Sequence, residues 1–135
     1  MSERKLVGIV LVSHSGAVAE SVADLARGLV GDGTDVPVAA AGGTEDGGFG
    51  TSAGLIARAA AEVDRGAGVA VLADLGSAVL TVKALLEDDE LPHDIRLLDA
   101  PFVEGAIAAA VTAATGADLT AVEAAAGEAY AYRKV

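Results

Sequence analysis

Apolar, largely β-branched runs punctuate the chain at Leu6–Val12 (LVGIVLV), Val36–Ala41, Gly68–Ala73 (GVAVLA) and Ile95–Leu98 (IRLL), each followed by Gly, Ser, Asp or Pro. None of the runs alternates with polar residues, the pattern of parallel strands buried on both faces. Helical periods lie between them. Gly16–Leu29 places Val18, Val22, Leu25, Ala26 and Leu29 on one side with Glu20, Asp24 and Arg27 opposite, the stripe of a surface helix on a sheet. From Thr51 to Asp64, Leu55, Ile56, Ala59, Ala60 and Val63 point inward and Arg58, Glu62 and Arg65 outward. Ser77–Glu87 gives a third helix, and Val103–Thr115, almost entirely Ala and Val, a fourth. Leu119–Tyr132 reads as a fifth, Ala-rich and weakly amphipathic, with little to hold it down alone and a face that could pack on a partner subunit.

Strand and helix thus alternate four times. The expected architecture is α/β: a four-stranded open parallel sheet with helices on both faces, joined by right-handed crossovers. The 135 residues form one domain, 1–135, with no linker, long repeat or low-complexity tail. Composition supports this. The chain is 53% hydrophobic but only 3% aromatic, the excess being Ala and Val, which pack helices closely against sheets.

Charge and cysteine usage remove several functions. Nine Lys+Arg against 20 Asp+Glu give a net charge of −11, which argues against a nucleic-acid partner. The carboxylates are scattered, as on a halophilic-type surface whose self-repulsion is screened by salt. With no Cys there is no disulfide framework, thiol nucleophile or zinc-finger pattern. The opening MSERK is charged and the apolar run after it is far too short to span a bilayer, where about 20 residues are needed. The expectation is a cytoplasmic protein without membrane contact.

In such sheets ligands bind outside the carboxyl ends of the strands, where strand order reverses. The residues delivered there are Ser13, His14, Ser15 and Gly16 after the first strand, then Gly42, Gly43 and Thr44 after the second. Asp74, Leu75, Gly76 and Ser77 follow the third, and Asp99, Ala100 and Pro101 the fourth. A lone His after a strand is often an ordinary loop or capping residue. At the mouth of a helix, however, where Ser13 or Ser15 can cap and free N–H groups favour an anion, a neutral imidazole can attack phosphorus and its phosphorylated form can be held. Asp74 is the natural acceptor for the other ring nitrogen.

Competing chemistries fit poorly. His93, the other histidine, lies in the DDELPHD turn on the expected opposite rim, so no metal site forms. Ser13 and Ser15 adjoin His14 too closely to use it as a base, and no GxSxG elbow is present. The Gly42-Gly43-Thr44 and GGFGTS (Gly47–Ser52) segments suit a phosphate cradle but match neither GxGxxG nor GxxxxGK[ST]. Thr51 or Ser52 also reads as a cap for the second helix, and Ser77 as a cap for the third.

Four blocks, VGIVLVSHS (Val7–Ser15), AAGGTEDGGFGTS (Ala40–Ser52), VAVLADLGSAVLTVKALLE (Val69–Glu87) and LLDAPFVEGAIAAAV (Leu97–Val111), together resemble the mannose-type enzyme IIA family. The resemblance is to its dihydroxyacetone-kinase branch (DhaM) in particular. It implies strand order 2-1-3-4, a homodimer, and a phosphotransferase subunit without cofactor that takes a phosphoryl group from HPr on the residue matching His14. Asp74 matches the partner of that imidazole, and Gly42, Gly43, Thr51, Ser52 and Ser77 are the residues expected to line the phosphate. In the dihydroxyacetone branch the acceptor is ADP held on DhaL, which serves DhaK. The sugar-transporter branch, with a IIB acceptor, and a non-catalytic regulatory binding module on the same fold are the alternatives. The tail Asp118–Val135 carries no matching motif.

Overall fold

A computed structural model describes residues 5–92 and 94–135; the expectation for His93 lies outside them. The chain runs β1 (Gly8–Ser13), α1 (Gly16–Val30), β2 (Val38–Gly42), α2 (Ala53–Val63), β3 (Val69–Ala73), α3 (Gly76–Glu87), β4 (Ile95–Leu97), α4 (Phe102–Ala114) and α5 (Leu119–Glu128), closed by a short 3-10 turn, Ala129–Ala131. The strands form one parallel sheet in the order β2-β1-β3-β4. Architecture and strand order therefore agree with the sequence reading, with element ends moved by at most four residues.

Alternation within the central strands builds two cores. Ile9 and Leu11 of β1, with Ala70 and Leu72 of β3, meet α1, α4 and α5 through Val22, Ala26, Ala106, Ala110 and Val122. Val10, Val12, Val69 and Val71 face the other way, onto Ile56, Ala60, Val82 and Leu85 of α2 and α3. Both faces of β1 and β3 are thus apolar, which is why those runs show no polar alternation.

Two expectations about packing are corrected. The buried side of α1 is Ala19, Val22, Ala23 and Ala26, while Val18, Leu25 and Leu29 are exposed. The helix packs on the sheet and alongside α4, and its side of small residues permits that close approach where Leu would not. The tail is also anchored on its own chain. Leu119, Val122, Ala126 and Ala129 are buried, Asp118 caps α5 by accepting from the Ala121 N–H at 2.9 Å, and Arg96 of β4 pairs with Glu123 at 2.9 Å. Among the described residues no helix is long and apolar enough to cross a membrane.

Gly8 allows α2 to seat on β1. A Cβ there would lie 2.2 Å from the Val63 carbonyl oxygen and 2.7 Å from its Cγ2. Gly8→Ala is expected to destabilise the fold by about 1–3 kcal/mol through overpacking, read as a fall in thermal midpoint by circular dichroism.

Candidate functional site

The sheet reverses direction of growth at β1, which lies between β2 and β3. The crevice beyond the ends of β1 and β3 is therefore the expected ligand position, and parallel register fills it. Val12 pairs with Ala73, and the Asp74 N–H donates to the Val12 carbonyl at 3.1 Å. Ser13–His14 and Asp74 are thereby held side by side at one rim, 60 residues apart in the chain.

The Asp74 carboxylate receives four hydrogen bonds. Oδ1 accepts from His14 Nδ1 at 3.0 Å and from the Leu75 N–H at 2.7 Å. Oδ2 accepts from the Ser13 hydroxyl at 2.9 Å and from the His14 N–H at 3.1 Å. Burial by itself raises the Asp74 pKa, but the His14 N–H, the imidazole, the Ser13 hydroxyl and the Leu75 N–H together outweigh it, leaving the carboxyl below its ordinary value. An ionised carboxylate only accepts, so the imidazole hydrogen sits on Nδ1. Nε2 is then the lone-pair nitrogen, and the Ser77 hydroxyl is hydrogen-bonded to it.

Local sequence explains this arrangement. Ser15 caps α1, its Oγ accepting from the Val18 N–H at 3.2 Å, so α1 begins directly behind His14. The cap position of α3 is Leu75, without a side-chain bond. Ser77, expected as the cap, lies inside the first turn with its hydroxyl on the His14 ring instead. Both helices open at the rim, where their positive ends favour an anion.

The remaining predicted phosphate-lining residues stand further back. Ser52 caps α2 by accepting from the Leu55 N–H at 3.2 Å. Thr51 Oγ1 meets Thr81 Oγ1 at 2.9 Å, and Thr81 donates to the Ser77 carbonyl at 3.1 Å, two steps from the ring. Gly42 pairs in register with Ser13, and the Gly43 N–H is engaged by the Ser13 carbonyl at 3.1 Å. The two glycines pack the junction tightly: a Cβ on Gly42 would lie 2.4 Å from the Ser15 carbonyl oxygen, and Gly43 has φ +71°. The loop that follows returns to the site, the Gly50 N–H donating to the His14 carbonyl at 2.9 Å.

Exposed apolar residues lie near the site residues in sequence. Phe49 is 88% exposed, Leu80 67% and Leu75 60%, and these flank Gly50, Ser77 and Asp74 in sequence. Two arginines of the second helix region are engaged or distant. Arg58 pairs with Glu45 at 2.7 Å, while Arg65 lines a groove with Lys5, Thr34 and Asp35 beside the opposite ends of the strands. Among the described residues no cluster of three or more His, Asp or Glu could hold a metal ion.

Similarity to known proteins covers this whole arrangement. The model of the EIIA-man family, described as the PTS system fructose IIA component, matches residues 8–123. The phosphoryl donor subunit DhaM of PEP-dependent dihydroxyacetone kinase 2 from Listeria innocua is 40% identical over 108 residues, covering 78% of this chain and 85% of that protein. The Escherichia coli K12 DhaM subunit is 38% identical over 120 residues, covering 87% of this chain but 25% of that longer protein. Among solved structures, EF1359, a protein of unknown function, superposes with a TM-score of 0.76 at 35% identity, covering 91% of this chain and 94% of that one. A sigma-54 interaction domain protein from Enterococcus faecalis, with a TM-score of 0.59 and 17% identity over 89% of this chain and 87% of that one, shares the fold.

Linkage gives a test of the Asp74 network. A carboxyl whose folded pKa is depressed adds stability above its unfolded pKa of about 3.9, and that stability is lost as pH falls through the lower folded value. Asp74→Asn removes this titration. Its unfolding midpoint is expected to lie below wild type at pH 7 and to approach it below about pH 4, measured by denaturant titration across pH.

Proposed function

The chain belongs to the EIIA-man family, and from that membership and the His14 rim we propose that it is the phosphohistidine carrier of a phosphoenolpyruvate-dependent dihydroxyacetone kinase. It accepts a phosphoryl group from phospho-HPr and passes it to ADP held on a DhaL subunit, which in turn phosphorylates dihydroxyacetone on DhaK. The kinase assignment follows the relatives' function. The carrier assignment is supported above all by one observation: Asp74 fixes the hydrogen of the imidazole on Nδ1, leaving Nε2 as nucleophile at an accessible rim.

Transfer requires no net proton movement at this chain. The Nε2 lone pair attacks phosphorus in line as the donor's N–P bond breaks, and that bonding pair stays on the donor imidazole. Positive charge appearing on the His14 ring is balanced by the Asp74 carboxylate, which retains the Nδ1–H bond. The Ser77 hydroxyl turns from Nε2 to a phosphoryl oxygen, and the amino ends of α1 and α3 face the arriving negative charge. In the second transfer a terminal phosphate oxygen of ADP attacks and Nε2 recovers its pair. Catalysis here rests on positioning and electrostatics. The exposed Phe49, Leu75 and Leu80 suit docking of a folded donor or acceptor around the ring.

Incubation with enzyme I, HPr and labelled phosphoenolpyruvate is expected to label wild type on His14 and to leave His14→Ala folded but unlabelled. Label persisting at His93 overturns the assignment. Asp74→Ala is expected to slow acceptance on the order of 10²-fold, with the fold retained, in rapid-quench measurements. Adding DhaL, DhaK and dihydroxyacetone should discharge the label, whereas discharge only to a IIB domain would assign the sugar-transporter branch.

A further inference from the structure

Ser13 is 1% exposed and is the buried polar side chain beneath the site. Its hydroxyl oxygen accepts from the Ser15 N–H at 3.1 Å, so its one hydrogen is directed to Asp74 Oδ2 at 2.9 Å. A single oxygen thereby joins the end of β1, the carboxylate and the residue that caps α1. We propose that Ser13 is a positioning residue for phosphoryl transfer, holding the plane of the Asp74 carboxylate from the buried side so that His14 presents Nε2 and not Nδ1 to the donor.

The geometry makes the role specific. Of the four donors to Asp74, two are backbone N–H groups and one is the imidazole itself; Ser13 supplies the one remaining side-chain donor. Without it, Oδ2 keeps only the His14 N–H, and the carboxylate can turn about its Cβ–Cγ bond, carrying Oδ1 away from Nδ1. Other titratable groups around the rim are engaged elsewhere. Glu45 pairs with Arg58, Asp46 accepts from Thr44, and Asp99 accepts from Tyr130 at 3.1 Å.

The proposal rests on His14 as acceptor for its kinetic arm, and a second arm is independent of that reading. Ser13→Ala, a small change in a buried strand end, is expected to slow acceptance from phospho-HPr about ten- to hundredfold, as loss of one hydrogen bond to a charged group predicts. The acid limb of its pH–rate profile should move to higher pH, since the ionised carboxylate loses a donor. Ser13→Thr, which keeps the hydroxyl, should restore both, and Ser13→Cys, a weak donor of similar size, should resemble Ala. In the unphosphorylated protein, imidazole 15N shifts should show the Nε2–H tautomer rising severalfold in Ser13→Ala. An unchanged acid limb and tautomer ratio in both the Ala and Cys variants would overturn the proposal. If the tautomer responds but wild type accepts no phosphoryl group, the carrier assignment falls and what stands is that Ser13, through Asp74, sets the His14 tautomer.

Discussion

One hydrogen bond organises the functional end of this molecule: His14 Nδ1 to Asp74 Oδ1, at 3.0 Å, across neighbouring strand ends. It exists because β1 and β3 are adjacent and parallel in a register that sets Val12 against Ala73. A shift of one residue would turn the side chains to opposite faces, placing the carboxylate away from the imidazole. The register is enforced by the two apolar cores, since slippage would present each strand's side chains to the wrong helices. Packing of Ile9, Leu11, Val69 and Val71 is therefore the physical origin of an imidazole with a defined tautomer. Stability and chemistry share their determinants here.

Much of this was legible in the sequence because it is written locally. The four apolar runs and the helical periods between them specify an α/β layer structure, and the rule that ligands sit beyond strand ends singled out His14 and Asp74. What was not legible depends on approach between distant segments. Both leucines of α1, Leu25 and Leu29, and Val18 are exposed, and the helix turns inward a side of three alanines and Val22 that packs closely on the sheet and α4. Ser77 reads as a cap in one dimension. Only the proximity of α3 to β1 shows its hydroxyl on Nε2. Gly42 and Gly43 read as glycines that permit close backbone approach at the rim, and only the fold shows that it is the Ser15 and Gly48 carbonyls that crowd them. The tail looked poorly held because its contribution, Leu119, Val122 and Ala126, is spread among alanines.

Among the described residues no cation is bonded to the His14 ring despite its expected dealings with phosphate. Arg58 is occupied by Glu45 and Arg96 by Glu123, and the side chains bonded to the ring are a carboxylate and a hydroxyl. Association with another acidic protein at such a face would be governed by apolar contact area, with salt relieving the repulsion of the remaining surface.

That absence of cations among the groups bonded to His14 bears on how tightly a cargo is kept. A guanidinium clamp would deepen the well in which a phosphorylated side chain sits and make onward release uphill. On the proposed carrier reading, a ring held by a carboxylate that already accepts four hydrogen bonds, and touched by a single hydroxyl, offers a phosphoryl group no cationic clamp. On that reading the site lends itself to relay and not to storage.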